Sequence, residues 1–272
     1  MVGSSWSRAV RIYTNLSPFS AELLAGRIES GSELLCRVRN AGFEGVEINL
    51  RILHQPGGSA LLKNLDGACA TFHSNYPEFS PGASNPYIRE AAVRQLDDEL
   101  ALTLDLGVRV LTFHPGARGK RATREESLDR CAASIRKVVD RHAAALTAGR
   151  ALLCLENMDD NPEKLCGSEE EIAYILDRVP EIGLTCDVAH AGLRGLDFKR
   201  LMDRLGGRIR HVHASGVKEG TPHSSVSLEE NSVNHAAFFR RYADTDTIAC
   251  VENRTLDLSL ATRRSLLGYL AS

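Results

Sequence analysis

The sequence has no long hydrophobic run and no closely spaced pair of cysteines. No segment reaches the length that crosses a membrane, and the opening MVGSSWSRAV holds no apolar stretch long enough for a signal peptide. The seven cysteines are odd in number, scattered along the chain and nowhere spaced as CxxC. We therefore expect a cytoplasmic protein with reduced thiols, no disulfides and no membrane partner.

An excess of charge of one sign is also lacking. The 33 Lys and Arg residues face 35 Asp and Glu residues, which leaves a formal net charge of -2. Bulk electrostatics therefore gives no reason to expect a polyanionic partner, although a local basic patch stays open. The chain does have 272 residues, 43% of them hydrophobic and 25% charged, which suits one α/β barrel with a sizeable core.

Eight short apolar runs are spaced along the chain, with amphipathic stretches between them. The runs are continuous rather than alternating, as expected of parallel strands that are covered on both faces. The predicted strands cover residues 11–16, 45–50, 68–74, 108–114, 151–157, 183–190, 209–215 and 248–253. Helices are predicted between them, the later ones at 168–179, 197–206, 234–243 and 258–270.

Two of the predicted helices have clear start signals. The stretch 85–107 opens on Asn-Pro, an N-cap followed by proline at the first helical position, and the stretch 123–149 opens on a capping box of Thr123 and Glu126. Alternation of strand and helix eight times over is the signature of a (β/α)8 TIM barrel. We predict the α/β class and one such barrel, a single domain over residues 1–272.

Histidines and carboxylates follow almost every predicted strand, where the active site of such a barrel lies. One such residue alone is usually a solvated polar group or an ion-pair partner. Several acids in one barrel mouth, however, are costly to desolvate unless they are paired or bind a cation. Mixed nitrogen and oxygen donors suit zinc or manganese, with iron as a further candidate, and the absence of cysteine argues against a structural zinc site. The predicted ligands are His73, His114, Glu156, Asp187, His190, His213 and Glu252.

These strand ends resemble the xylose-isomerase-like TIM-barrel superfamily. That superfamily includes sugar isomerases and epimerases and the endonuclease IV class of abasic-site nucleases, also called AP endonuclease family 2. The short motifs HSNY, FHPG, LEN, CDVAHA, HVHAS and VEN occur in the family's order and spacing. The resemblance covers nearly the whole chain from the second strand onward.

The resemblance implies a divalent metal site with four ligands. Glu156, Asp187, His213 and Glu252 match the site that the isomerases, epimerases and nucleases share. In an isomerase, Glu156 and Glu252 would also be the catalytic residues that move a proton off and onto carbon. His190, the third predicted catalytic residue, matches a histidine that contacts substrate in the epimerases, where it would hydrogen-bond a substrate oxygen.

The resemblance also implies further metals, as in the nucleases. His73 and His114 match the nucleases' second site, with Glu156 as the bridge, and typical small-sugar epimerases lack this pair. His190 matches a ligand of their third site. The nucleases complete that site with an Asp-x-His after strand seven, where this sequence offers only His223. One to three ions per chain are therefore open, and we expect two, or one tight ion with a weaker neighbour.

Two enzyme functions follow from this resemblance. We favour an isomerase or epimerase of a small sugar or polyhydroxy compound, phosphorylated or not, with proton transfer through a metal-stabilised enediolate. The alternative is an endonuclease IV-like, metal-dependent phosphodiesterase acting on abasic DNA. The histidine pair favours this alternative, whereas the missing Asp-x-His and the weak basicity count against it. A non-catalytic metal-binding barrel carries little weight because the acid and base carboxylates remain.

Further substrate contacts are predicted around these ligands. Tyr76 matches a family position that probes DNA, and His211 shares a strand face with His213 but sits deeper, as a substrate contact or a buried polar partner. Arg118 and Lys120 follow the fourth strand and could bind a phosphate, although a solvated loop is the simpler interpretation. The expected partner is a small polyhydroxy substrate, or nucleic acid under the alternative. The sequence sets no oligomeric state.

Overall fold

Eight parallel strands close into a barrel, each paired with its neighbours in chain order and the eighth with the first. The structure is a computed structural model, and it describes residues 10–55, 57–119, 121–243 and 245–271. The strands are Arg11–Asn15 (β1), Gly45–Asn49 (β2), Ala70–His73 (β3), Val110–Phe113 (β4), Leu152–Glu156 (β5), Gly183–Asp187 (β6), Ile209–Ala214 (β7) and Ile248–Val251 (β8). The predicted (β/α)8 TIM barrel is confirmed.

Helices lie between the strands and pack on their outward faces through one continuous apolar cluster. They are Ser20–Leu24 (α1), Gly31–Asn40 (α2), Pro86–Asp105 (α3), Arg124–Arg141 (α4), Ala143–Thr147 (α5), Glu169–Arg178 (α6), Val188–Leu193 (α7), Phe198–Leu205 (α8), Ala236–Tyr242 (α9) and Leu256–Ala271 (α10). The predicted capping box is present, because Thr123 and Glu126 each bond the other's backbone N–H. Among the described residues, no helix is both long enough and apolar enough to span a lipid bilayer.

The inside of the barrel changes from apolar to polar along the strands. Alternate residues of a strand point to one face, so the inward residues are two apart. At the amino-terminal end an apolar cluster fills the interior, and it consists of Tyr13, Val110, Cys154, Ile248 and Cys250. Two residues further along β4 and β5 the inward positions hold Thr112 and Glu156. The carboxyl-terminal ends therefore carry the polar side chains of the interior.

Two predicted elements end or break at least three residues before the predicted end. The helix predicted over 123–149 breaks at His142, whose Nε2 lies 2.9 Å from Asp97 Oδ1, and α5 begins after it. The strand predicted over 183–190 ends at Asp187, because the Asp187 carboxylate accepts the His190 backbone N–H at 2.8 Å and so caps α7. His190 therefore belongs to the first turn of a helix and not to a strand.

Candidate metal centre

The strand register brings the predicted ligands together. Asp187 of β6 and His213 of β7 are register partners, so their side chains lie side by side on the inner face. His114 and Glu252 each come one residue after the last residue of β4 and β8, and two after an inward-facing residue. With His73 of β3 and Glu156 of β5, each of the six strands β3 to β8 therefore brings one predicted ligand to the carboxyl-terminal mouth.

Glu156 is the centre of this arrangement. Its Oε2 lies 3.2 Å from His73 Nε2 and 2.9 Å from His114 Nε2. Its Oε1 lies 3.1 Å from His213 Nδ1 and 3.5 Å from His190 Nδ1. The two oxygens of one carboxylate, which is only 1% exposed, thus face two different groups of imidazoles.

Two candidate ligand groups share Glu156. In the first, one ligand atom each from His73, His114 and Glu156 lies within 4.8 Å of the others. The ligand atoms of the second group also lie within 4.8 Å of one another, and this group consists of Glu156, Asp187, His213 and Glu252. Because Glu156 belongs to both groups, its carboxylate is placed as a bridging ligand would be.

A third group joins Asp187 and His190 to His223, again with ligand atoms within 4.8 Å of one another. His223 comes from the loop after β7, where its Nδ1 lies 3.0 Å from Ser215 Oγ. Burial lowers the pKa of His223, which favours the neutral ring that binds metals. The structure thus brings the isolated loop histidine of the sequence to the same mouth.

Backbone carbonyls orient two of the imidazoles. His73 Nδ1 donates to the Ser74 carbonyl at 2.8 Å, and His190 Nδ1 donates to the Asn157 carbonyl at 3.0 Å. Because a carbonyl only accepts, the hydrogen of each neutral ring must sit on Nδ1, which leaves Nε2 with a free lone pair. Such bonds fix the tautomer of metal-binding histidines.

In the metal-free protein these groups balance one another's charge. Burial alone would lower the pKa of His73, but its bond to Glu156 raises it to about 9. Burial opposes ionisation of Glu156, yet His213 and His114 hold its pKa well below the ordinary value. Burial raises the pKa of Glu252 to about 7, against the attraction of His213. Opposite charges thus hold the pKa of His73 up and that of Glu156 down, whereas burial lowers the pKa of His114.

Glu47 is a site residue that the sequence reasoning missed. It is 2% exposed on β2, and its carboxylate lies 3.1 Å from His213 Nε2. Burial would raise the pKa of Glu47, but the neighbouring His213 lowers it to about 2. A lone carboxylate inside the apolar run GVEINL was the available signal.

A cavity of about 440 Å³ opens above these ligands. Tyr76 stacks on His114 at its edge, with ring centroids 4.8 Å apart and planes 25° apart. Two cations line it: Lys164 is 2.6 Å from Asp159 Oδ2, whereas Arg254 Nε donates to Ser224 Oγ at 2.9 Å. Among the ion pairs of the described residues, Arg254 has no carboxylate partner.

The predicted substrate contacts are placed differently from one another. Tyr76 and His190 line the cavity. His211 lies beneath the cavity and is 0% exposed, with Nδ1 3.3 Å from Thr112 Oγ1. Of its two predicted roles, this position fits the buried polar partner and not the substrate contact. Arg118 donates to Glu163 at 3.1 Å and is not among the lining residues. Lys120 lies outside the described residues.

The residues present fit a divalent metal. Asp187 Oδ2 is buried without a hydrogen-bond partner among the described residues, because the nearby His190 Nδ1 donates to Asn157 instead. A buried carboxylate oxygen with no donor is costly unless a cation faces it. The mixed carboxylate and imidazole donors suit zinc or manganese. The three ligand groups could therefore hold divalent ions.

Known proteins resemble the chain over part of its sequence. The chain is 27% identical over 173 residues to "Uncharacterized protein MJ1188" of Methanocaldococcus jannaschii, which is 63% of this chain and 61% of that protein. It is 29% identical over 145 residues to a "Probable endonuclease 4" of Campylobacter hominis, 50% of this chain and 49% of that protein. The chain thus spans less than two thirds of the length of these curated relatives.

Solved structures share the whole fold. The D-tagatose 3-epimerase-like protein superposes with a TM-score of 0.76 at 17% identity, covering 96% of this chain and 97% of that one. Endonuclease IV from Thermus thermophilus superposes with a TM-score of 0.69 at 18% identity, covering 96% and 99%. The sequence profile of the xylose isomerase-like TIM barrel matches residues 35–265. The chain therefore belongs to the xylose isomerase-like TIM barrel family.

Proposed function

We propose that this protein is a metal-dependent hydrolase of phosphodiester bonds, with zinc or manganese at the barrel mouth. The observation that carries the proposal is Glu156, whose two oxygens face separate ligand groups at 2.9–3.5 Å. Neighbouring metals that share a carboxylate can hold both the attacking and the leaving oxygen of a phosphoryl group. A single-metal isomerase has no use for the additional group of His73 and His114.

A third ligand group is a further reason for our preference for hydrolysis over isomerisation. The sequence favoured isomerisation partly because the nucleases' third site lacked its Asp-x-His. His223 now takes a place beside Asp187 and His190, with ligand atoms within 4.8 Å, so a third group is available after all. The relatives named endonuclease 4 add support to hydrolysis.

The residues that would hold the metals are those of the three groups, with Glu156 and Asp187 each in two of them. Divalent ions bound there would supply the positive charge that a phosphoryl group needs as negative charge develops on its oxygens. Arg254, at the cavity wall without a carboxylate among the described residues, can bind a second phosphate oxygen. Tyr76, 44% exposed, offers a ring face to a base or sugar.

Epimerisation of a small sugar is the second candidate, because Glu156 and Glu252 both line the cavity. Two carboxylates that reach one bound molecule can remove a proton from one face of a carbon and return it on the other. Sugar epimerases are among the structural neighbours. This reaction needs the four-ligand group alone.

One assay pair separates the candidates. The protein, loaded with zinc or manganese, is tested on bis(4-nitrophenyl) phosphate, on an oligonucleotide duplex with one abasic site, and on ketohexoses. A His73→Ala, His114→Ala double variant is tested beside it. Hydrolysis that the double variant loses supports the proposal. Epimerisation of a ketohexose that survives in the double variant, with no hydrolysis by the parent protein, would replace it.

A further inference from the structure

We propose that Glu47 is a positioning residue that holds His213 with Nδ1 toward the metals. The inference rests on the metal centre of the proposed function, but not on its substrate. It begins from the two nitrogens of the His213 ring, which face opposite carboxylates. Nδ1 lies 3.1 Å from Glu156 Oε1 and 3.5 Å from Glu252 Oε1, whereas Nε2 lies 3.1 Å from Glu47 Oε1.

The chemistry of the pair sets the tautomer. An ionised carboxylate only accepts hydrogen bonds, so a ring nitrogen beside it must carry the hydrogen. With a metal bound, His213 would keep one ring hydrogen. On Nε2 that hydrogen would bond Glu47, which would leave the Nδ1 lone pair for the metal. Carboxylate partners of this kind orient ligating histidines and raise their basicity.

Glu47 is itself held in place. Thr71, its register partner on β3, donates from Oγ1 to Glu47 Oε2 at 3.3 Å. His211 Nε2 approaches the same oxygen to 3.7 Å, and the other ring nitrogen of His211 is tied to Thr112 Oγ1. Side chains inside the barrel thus fix the carboxylate from below.

The alternative role for Glu47 is direct ligation. One ligand atom each from Glu47, His211 and His213 lies within 4.8 Å of the others, so the three could hold an ion of their own. Such an ion would occupy His213 Nε2. The Nδ1 side offers the four ligands Glu156, Asp187, His213 and Glu252, whereas the Nε2 side offers three, so we assign the metal to Nδ1 and the hydrogen bond with Glu47 to Nε2. The two roles differ in which nitrogen carries the hydrogen.

Metal affinity is the first test. Glu47→Gln is compared with the parent protein by competition for zinc with a chromogenic chelator, after circular dichroism confirms folding. We expect the same number of ions at saturation and an affinity about 10–100-fold weaker for one of them. Glu169→Gln is the matched control, because Glu169 is also buried, pairs with Arg200 Nε at 2.8 Å and does not line the cavity. Unchanged affinity in Glu47→Gln would overturn the proposal.

The second test needs no variant. The zinc-loaded parent protein, labelled with ¹⁵N histidine, is examined by long-range ¹H–¹⁵N correlation. A hydrogen on Nε2 of His213 and a metal-shifted Nδ1 are expected. A metal-shifted Nε2, or one ion fewer at saturation in Glu47→Gln, would show that Glu47 ligates and does not position. Both tests are made without substrate, so a failed hydrolysis assay leaves them unaffected.

Discussion

At the amino-terminal end of the barrel the interior is closed by Tyr13, Val110 and Ile248, each about 1% exposed and in apolar contact. At the carboxyl-terminal end Glu156 lines a cavity, and its carboxylate lies 3.1 Å from Nδ1 of His213. The first end is stabilised by the packing of its apolar side chains. The second end holds a carboxylate oxygen, Asp187 Oδ2, with no hydrogen-bond partner among the described residues.

This difference indicates that one end of the strands stabilises the fold and the other end carries the candidate site. Apolar burial stabilises the fold by about 25 cal/mol per Å² of apolar surface, and it serves the closed end. Carboxylates and imidazoles packed without a metal add little net stability after their desolvation. Local departures from good packing and polar satisfaction are expected at functional sites. Substitutions at the two ends should therefore change different properties of the protein.

Glu156→Gln should remove the activity of the carboxyl-terminal (open) end of the barrel, while the packing of the amino-terminal (closed) end stays intact. The shared carboxylate loses one ligand oxygen and its charge, so both ligand groups weaken together. We expect phosphodiester hydrolysis to fall by at least about 1000-fold and metal content to fall by one ion or more. Steady-state rates and elemental analysis measure this. Glu169→Gln is the control, and a Glu156→Gln protein that kept full activity would contradict the bridging role.

Ile248→Ala should lower the stability of the fold and leave the metal site intact. The side chain is 1% exposed in the apolar cluster, so its truncation leaves a cavity. We expect the free energy of unfolding to fall by about 2–5 kcal/mol, with unchanged metal content at saturation. Urea unfolding at fixed metal concentration measures the first quantity, and elemental analysis the second. If the folded Ile248→Ala protein bound less metal at saturation, the two ends would depend on each other and this prediction would be wrong.

Arg254→Ala should weaken the binding of anionic substrates alone. Arg254 lines the cavity and has no carboxylate partner within the described part of the chain, so its loss removes a charge-assisted contact with phosphate. We expect KM for a phosphodiester to rise about 10-fold with kcat changed much less. Arg118→Ala is the control, because Arg118 is paired with Glu163 and does not line the cavity. Equal effects of the two variants would rule out this role.

Metal binding at the open end should release protons. The pKa of His73 is raised to about 9 in the metal-free protein, so the ring is protonated at neutral pH and must lose that proton to ligate. Affinity therefore rises with pH until the pH passes about 9. Calorimetry in buffers of different ionisation enthalpy counts the protons. His73→Ala should release about one fewer, and an equal count would contradict the assignment.

Much of the fold could be predicted from the sequence, because period and capping are local signals. Eight continuous apolar runs predicted the parallel barrel, and Thr123 with Glu126 predicted the start of α4. His190 was placed on a strand because the apolar run CDVAHA continues past Asp187. A side-chain cap ended the strand there, and the strength of such a cap depends on its final geometry.

The candidate site could be predicted as a set of strand ends, but not as a set of contacts. The sequence singled out His73, His114 and Glu156, and the structure brings them together. Glu47 was missed because its importance comes from strand register, which places β2 opposite His213 across the barrel. Register and barrel closure are properties of all eight strands together, so one strand's residues cannot show them.

The measurement that tests the central claim most directly is the number of metal ions per chain, by elemental analysis of protein purified without chelator. The parent protein is compared with the His73→Ala, His114→Ala double variant, and circular dichroism confirms that both are folded. We predict two or more ions per chain in the parent and about one in the double variant. One ion per chain in both proteins would contradict the shared role of Glu156 and favour a single-metal epimerase.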